Sequence, residues 1–115
     1  METGMARANR IRGEIEAVID GERRILCMTL GALAELETAF GVDNIADLAA
    51  RLGGGRLATR DVTAIIAAGL RGGGNRMDGS DLEDMRVEGG LGGAIRLAAR
   101  LLESAFVPEG TTRNP

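Results

Sequence analysis

The sequence lacks several residues on which common enzyme chemistry depends. Its 115 residues include no histidine, lysine, tryptophan or tyrosine, and they include one cysteine and two phenylalanines. Without histidine the usual proton carrier near neutral pH is missing, and without lysine Schiff-base and P-loop chemistry are excluded. Cys27 has neither a second thiol for a disulfide nor a histidine to activate it, which fits a reducing cytoplasm. We therefore expect no enzyme activity.

Long apolar runs and a basic charge excess are missing as well. No segment approaches the ~18 apolar residues of a membrane span. Met1–Asn9 is too polar for a secretory signal. Met5 is an alternative start of translation. The net charge is -3 and the arginines are scattered, whereas a DNA-binding regulator needs a basic recognition helix. We expect a cytoplasmic protein that binds neither a membrane nor nucleic acid.

The N-terminal part of the chain has the pattern of a β-hairpin. Apolar and charged residues alternate over residues 11–19, and this period of two indicates a half-buried strand. Asp20-Gly21 predicts a tight turn because glycine accepts a positive φ. A second strand is predicted over Glu22–Met28. A two-residue turn places Ile15 opposite Leu26, so that the apolar residues share one face.

Helical spacing of the apolar residues begins after this hairpin. Thr29 is the predicted N-cap of a first helix, which ends at Gly41. A second helix is predicted to begin at Asp43 or Asn44 and to end at the glycines of residues 53–55.

Three further helices are predicted in the C-terminal half. Thr59 is the predicted N-cap of a third helix, which ends at the glycines of residues 72–74. Ser80 and Glu83 form the capping box of a short fourth helix. A fifth helix is predicted from about Gly93 to Phe106.

These elements together predict an α+β fold. An N-terminal β-hairpin packs on a small bundle of four to five short helices. Residues 1–9 are predicted to be a flexible leader, residues 10–106 a single domain, and residues 107–115 a disordered tail.

The sequence offers two kinds of candidate ligand site. The glycine runs at residues 53–55 and 89–93 lack the spacing and the lysine of phosphate-binding loops. The densest acidic group is Asp78, Asp81, Glu83 and Asp84. Its charges suit a helix N-terminus and do not follow the ligand order of an EF-hand. We expect no catalytic, cofactor-binding or metal-binding residues.

The last predicted helix is apolar over an arc wider than a narrow core-facing stripe. Most amphipathic helices of a small domain simply build its core. The extra width of this one indicates a surface for a partner helix or for another copy of the chain. We place this partner-binding surface at Leu97, Leu101 and Phe106.

Residues 13–26, 29–37 and 61–72 carry a resemblance to a family of tail proteins from gene transfer agents, the phage-like particles of alphaproteobacteria. Residues 13–26 are similar to the opening hairpin of the family. Residues 29–37, TLGALAELE, are similar to its T-x-x-A-L-A-E-L-E helix, and residues 61–72 look like its third-helix segment. The resemblance covers roughly residues 10 to 106.

The resemblance implies a non-enzymatic tail assembly chaperone without a cofactor. Such a protein binds the tape measure protein during tail assembly, with tail tube subunits as further partners and self-association left open. A small acidic protein with exposed apolar helix faces suits this role, because it masks an aggregation-prone chain and keeps it soluble. The alternative is a structural tail component, a tail tube or connector subunit, since the family is also labelled a tail tube protein.

Overall fold

A computed structural model of the chain describes residues 13–54, 56–77 and 82–106. These ranges contain two strands, β1 (Glu14–Ile19) and β2 (Glu22–Cys27), and four helices, α1 (Leu30–Phe40), α2 (Ile45–Gly53), α3 (Thr59–Gly72) and α4 (Gly90–Phe106). The α+β prediction, a hairpin followed by a small helical bundle, is confirmed. The leader, the tail and the first residues of the predicted strand lie outside the described ranges.

The hairpin forms with the predicted turn and register. Asp20 and Gly21 both have positive φ, 54° and 80°, which is the backbone of a two-residue turn that matches the strand twist. Ile15 pairs with Leu26 as predicted. Both side chains are buried, and Ile19 joins them on the core face. The other face carries an ion pair, in which Arg23 Nε lies 3.2 Å from a Glu16 carboxylate oxygen.

The loop before α4 covers the outer edge of β1. The Asp20 N–H donates to the Arg86 carbonyl at 2.8 Å, and the Glu88 N–H donates to the Val18 carbonyl at 3.0 Å. The Asp20 carboxylate in turn accepts a hydrogen bond from the Arg86 N–H at 2.9 Å. This single β-bridge satisfies edge groups that would otherwise be available to another strand.

The end of α3 covers the outer edge of β2. An ideal Cβ on Gly73 would lie 1.9 Å from the Ile25 carbonyl oxygen, and one on Gly72 would lie 2.0 Å from the Cys27 carbonyl oxygen. The Asn75 side chain donates to the same Ile25 carbonyl at 2.8 Å. The glycines predicted only to stop a helix therefore also allow the backbones of helix and strand to approach closely.

The sequence predicted two helix N-caps correctly and one wrongly. Thr29 caps α1 by accepting from the Ala32 N–H at 3.1 Å, and Asn44, one of the two candidates, caps α2. The prediction that Thr59 caps α3 is wrong, because Ala58 occupies the N-cap position. Instead, the Asp61 carboxylate reaches back and accepts the Ala58 N–H at 2.9 Å.

The last helix is longer than predicted. It begins at Gly90, whereas the apolar pattern placed its start near Gly93. The Gly93 N–H donates to the Gly89 carbonyl at 3.1 Å, so the helical hydrogen bonds extend through the glycines. Residue 80 of the predicted capping box lies outside the described ranges. Leu82 and Met85, from the same predicted helix, pack half-buried against the core.

The core is centred on α3. This helix packs against α1, α4 and β2, while α2 packs on α1. Both strands and all four described helices contribute fully buried large side chains, which are Ile19, Leu26, Leu36, Leu48, Ile65, Ile66, Leu70 and Leu101. On the surface an ion pair links α1 to α3, in which Arg71 Nε donates to Glu35 at 2.6 Å. The hairpin and the other three helices therefore share one core with α3.

Candidate interaction surface

Large apolar side chains are exposed at four places in the described part of the chain. They are Leu30 at the start of α1, Ile45 at the start of α2, and Leu91 and Ile95 on α4. Leu91 is 63% exposed and Ile95 is 49% exposed. Residues four apart lie on the same side of a helix, so these two form a continuous surface.

The exposed pair continues along α4 as a longer stripe. Leu91, Ile95, Leu102 and Phe106 are separated by four, seven and four residues, and this spacing keeps them along one side of a helix. Leu102 and Phe106 are half-buried against the core. We call these four residues the α4 stripe. It lies beside the buried face of the helix rather than on it.

Close packing fixes the rotation of α4 and therefore the position of the stripe. Leu101 lies against Gly69 of α3, where an ideal Cβ would be 2.9 Å from the Leu101 Cδ1. At the start of the helix, an ideal Cβ on Gly93 would lie 2.0 Å from the Glu88 carbonyl oxygen. The approach at Gly93 requires glycine because the neighbouring atom belongs to the backbone, whereas a side chain at Gly69 would have to displace the buried end of Leu101.

The residues predicted to bind a partner lie mainly in the core. Leu97 is 4% exposed and Leu101 is 0% exposed, and both point into the contact with the rest of the domain. Phe106 is half-buried at the end of the stripe. The prediction of a partner surface on this helix remains untested. The exposed large apolar side chains of α4 are instead Leu91 and Ile95.

Leu91 was missed in the sequence because of the glycines around it, whereas Ile95 lay inside the predicted helix but was not chosen as a partner-binding residue. Glycine destabilises a helix interior by about 1 kcal/mol relative to alanine, so the helix was predicted to begin after Leu91. The signal that would have found the stripe is the spacing of Leu91, Ile95 and Leu102. It extends the helical period back through the glycine run.

Charged side chains flank the stripe on its solvent side. Arg96, Arg100 and Glu103 are exposed on α4. The ion pairs found among the described residues involve other side chains. The guanidinium of Arg96 lies over the glycines at the start of the helix, close to Gly89 and Gly92.

Among the described residues, the buried carboxylate of Asp61 has a structural role. Asp61 is buried, and the hydrogen bond from the Ala58 N–H lowers its pKa below the ordinary value. Arg51 contributes to the same shift, with a nitrogen 3.3 Å from the Asp61 carboxylate, and it also lies 4.9 Å from the centre of the Phe40 ring. These contacts tie α1, α2 and α3 together.

The described residues offer little for metal or thiol chemistry. No cluster of three or more histidine, cysteine, aspartate or glutamate side chains occurs among them. Two members of the acidic group at residues 78–84, Asp78 and Asp81, lie outside the described ranges. Cys27 is half-buried at the end of β2. What the geometry does present is the exposed apolar side chains of the α4 stripe.

A family model matches most of the chain. The model of a family described as "Phage tail tube protein, GTA-gp10" matches residues 12–107. No curated protein matches the chain, and no solved structure matches it either. None of the described helices is long and apolar enough to cross a membrane. The matched segment contains both strands and all four described helices.

Proposed function

The chain belongs to the family of the phage tail tube protein GTA-gp10, and from this membership we propose that it is a structural component of the tail of a gene transfer agent. The observation that carries the proposal is the family match, which spans residues 12–107 and so includes the whole described fold. In this role the protein acts by binding other tail proteins and not by catalysis.

The exposed surface of the domain supports a binding role. A protein that works alone in solution rarely exposes large apolar side chains in a continuous stripe. Leu91 and Ile95 do so on a helix whose orientation is fixed by glycine contacts. Leu97 and Leu101 support this surface from the core side, and Phe106 ends it. A rigid apolar stripe suits contact with a neighbouring subunit.

A second candidate is a cytoplasmic tail assembly chaperone that binds the tape measure protein. The observation that favours it is the small sheet. The described part of the chain has two strands and one further bridge at Val87. Subunits that form tube rings usually do so through larger sheets. A chaperone would use the α4 stripe to cover apolar helical segments of the tape measure protein.

The content of purified particles separates the two candidates. We would purify the particles and determine the copy number of the chain by quantitative mass spectrometry, with a major tail protein as the reference. Many copies per particle are expected for a structural component. Absence from the particles, together with rescue of the solubility of a co-expressed tape measure protein, would overturn the proposal in favour of the chaperone.

A pair of matched variants tests whether the stripe takes part in assembly. Ile95→Asp places a charge in the stripe, whereas Ala50→Asp places the same charge on an exposed position of α2. We expect Ile95→Asp to be incorporated less than the control at equal expression. Equal incorporation of the two variants would remove the stripe from the assembly contacts. Circular dichroism spectra of both variants check that the fold is kept.

A further inference from the structure

The α4 stripe has a symmetry that points to its partner. Leu91 and Phe106 are equally distant from the midpoint between residues 98 and 99, and so are Ile95 and Leu102. Two copies of α4 that run antiparallel around this midpoint would place Leu91 against Phe106 and Ile95 against Leu102. A two-fold interface has this property, because residue i contacts residue j while j contacts i.

The centre of the stripe allows close approach. Ala99 lies next to the midpoint and is exposed, whereas Ala98, on the other side of the midpoint, is buried against the core of its own domain. The distance between two packed helices depends on the side chains where they cross, so small residues at the crossing let the larger ones at each end meet. The stripe spans about 22 Å at the 1.5 Å rise of a helix, which is about four helical turns.

The flanking charges are complementary in the antiparallel arrangement. Around the same midpoint, Glu103 of one copy lies about two residues, or about 3 Å along the axis, from Arg96 of the other. These two side chains are exposed and belong to none of the ion pairs found among the described residues. A parallel pair would instead place Arg96 of one copy beside Arg96 of the other, and these like charges would repel each other.

From this pattern we infer that the α4 stripe is a two-fold interface that joins two copies of this chain through antiparallel α4 helices. The paired apolar residues, the small exposed Ala99 beside the midpoint and the complementary charges agree on one axis. The dimer is independent of the tail role, since its formation is measured with the purified chain alone. A failure of the dimer would therefore leave the question of particle content open.

The first test is site-directed cross-linking of the full chain. In a Cys27→Ser background, Ala99→Cys places a thiol next to the proposed axis, and Arg100→Cys places one on the exposed opposite side of α4 as the matched control. Under mild oxidation we expect a disulfide-linked dimer from the first variant and much less from the control. Equal cross-linking in both variants, or none in either, would overturn the proposal.

The second test is a charge exchange that reports on orientation. Arg96→Glu and Glu103→Arg should each weaken the dimer in analytical ultracentrifugation, and the double variant should restore it. Ile95→Asp should raise the dissociation constant by about 30-fold or more, since it removes a buried isoleucine contact on both sides of the axis. A monomeric wild-type chain at all concentrations, or a double variant weaker than both single ones, would contradict the antiparallel dimer.

Discussion

Helices α3 and α4 pack against each other, yet they relate to the domain in different ways. In α3, eight of fourteen residues are buried, and neighbours lie on three sides of the helix. In α4, four of seventeen residues are buried, and the apolar surface continues past the core onto an exposed flank. Both helices carry similar side chains. The difference shows that apolar content indicates burial only where a neighbour is present to cover it.

The glycines of the two helices differ in the same way. At the end of α3, Gly72 and Gly73 let the helix meet the backbone of β2. At the start of α4, Gly93 meets the loop that precedes it, while Gly90 has open space beside it and Gly92 lies under the Arg96 guanidinium. At the end of α3, glycine therefore allows a close contact with another element, β2. In α4 it serves a local turn that brings Leu91 into the helix.

The largest expected effect is the loss of a core isoleucine from α3. Ile65 is fully buried, so Ile65→Ala should lower the free energy of unfolding by about 2–5 kcal/mol. The same change on α4, Ile95→Ala, should alter it by about 0.5 kcal/mol or less, because the side chain is exposed. Urea denaturation in dilute solution, where the chain is monomeric, measures both values. Similar losses in the two variants would make the stripe part of the monomer's core.

An intermediate effect is expected where α3 meets the sheet. Gly73→Ala forces the helix and β2 apart, and should lower the free energy of unfolding by about 1–3 kcal/mol. Gly53→Ala at the end of α2 is the matched control, since a Cβ there has no atom within 4 Å. The control should be neutral or stabilising by up to about 1 kcal/mol. Equal melting temperatures for the two variants would refute the close-packing role of Gly73.

The hairpin and most helix boundaries followed from local sequence signals. The Asp20-Gly21 turn sets the register of residues a few positions away, and Thr29 and Asn44 cap helices by bonding to nearby N–H groups. Such features depend on neighbours in the chain, so the sequence alone carries them. The ordering of β-strand before helix, and hence the α+β class, was predictable for the same reason.

Contacts between distant residues were not predictable in this way. Nothing near Gly73 in the sequence indicates that β2 lies against it, and nothing near Leu97 indicates which side of α4 faces α3. The partner residues were consequently placed on the buried side of the helix, at Leu97 and Leu101. A helical period identifies an apolar side but cannot divide a wide apolar arc into a buried part and an exposed part.

The smallest expected effect concerns the first turn of α3, where Asp61 fixes the start of the helix while α4 has no acidic residue in its first turn. The folded-state pKa of Asp61 lies below its ordinary value of 3.8, mainly because of the Ala58 N–H. Between these two pKa values the unfolded chain binds more protons than the folded one. The stabilisation is therefore complete above the ordinary pKa and is lost as the pH falls through the folded-state pKa.

Replacement of the carboxylate should remove this pH dependence. We expect Asp61→Asn to lower the free energy of unfolding by about 1 kcal/mol at neutral pH, because a charge-assisted hydrogen bond becomes a neutral one. The difference from wild type should vanish in strong acid, where Asp61 is protonated in both states. Arg51→Ala should keep most of the pH dependence, since the Ala58 N–H remains the main cause of the shift. The measurement is the urea midpoint of wild type and of Asp61→Asn across the acid range. If the difference between the two midpoints persists undiminished in strong acid, the charge of Asp61 is not what stabilises the start of α3.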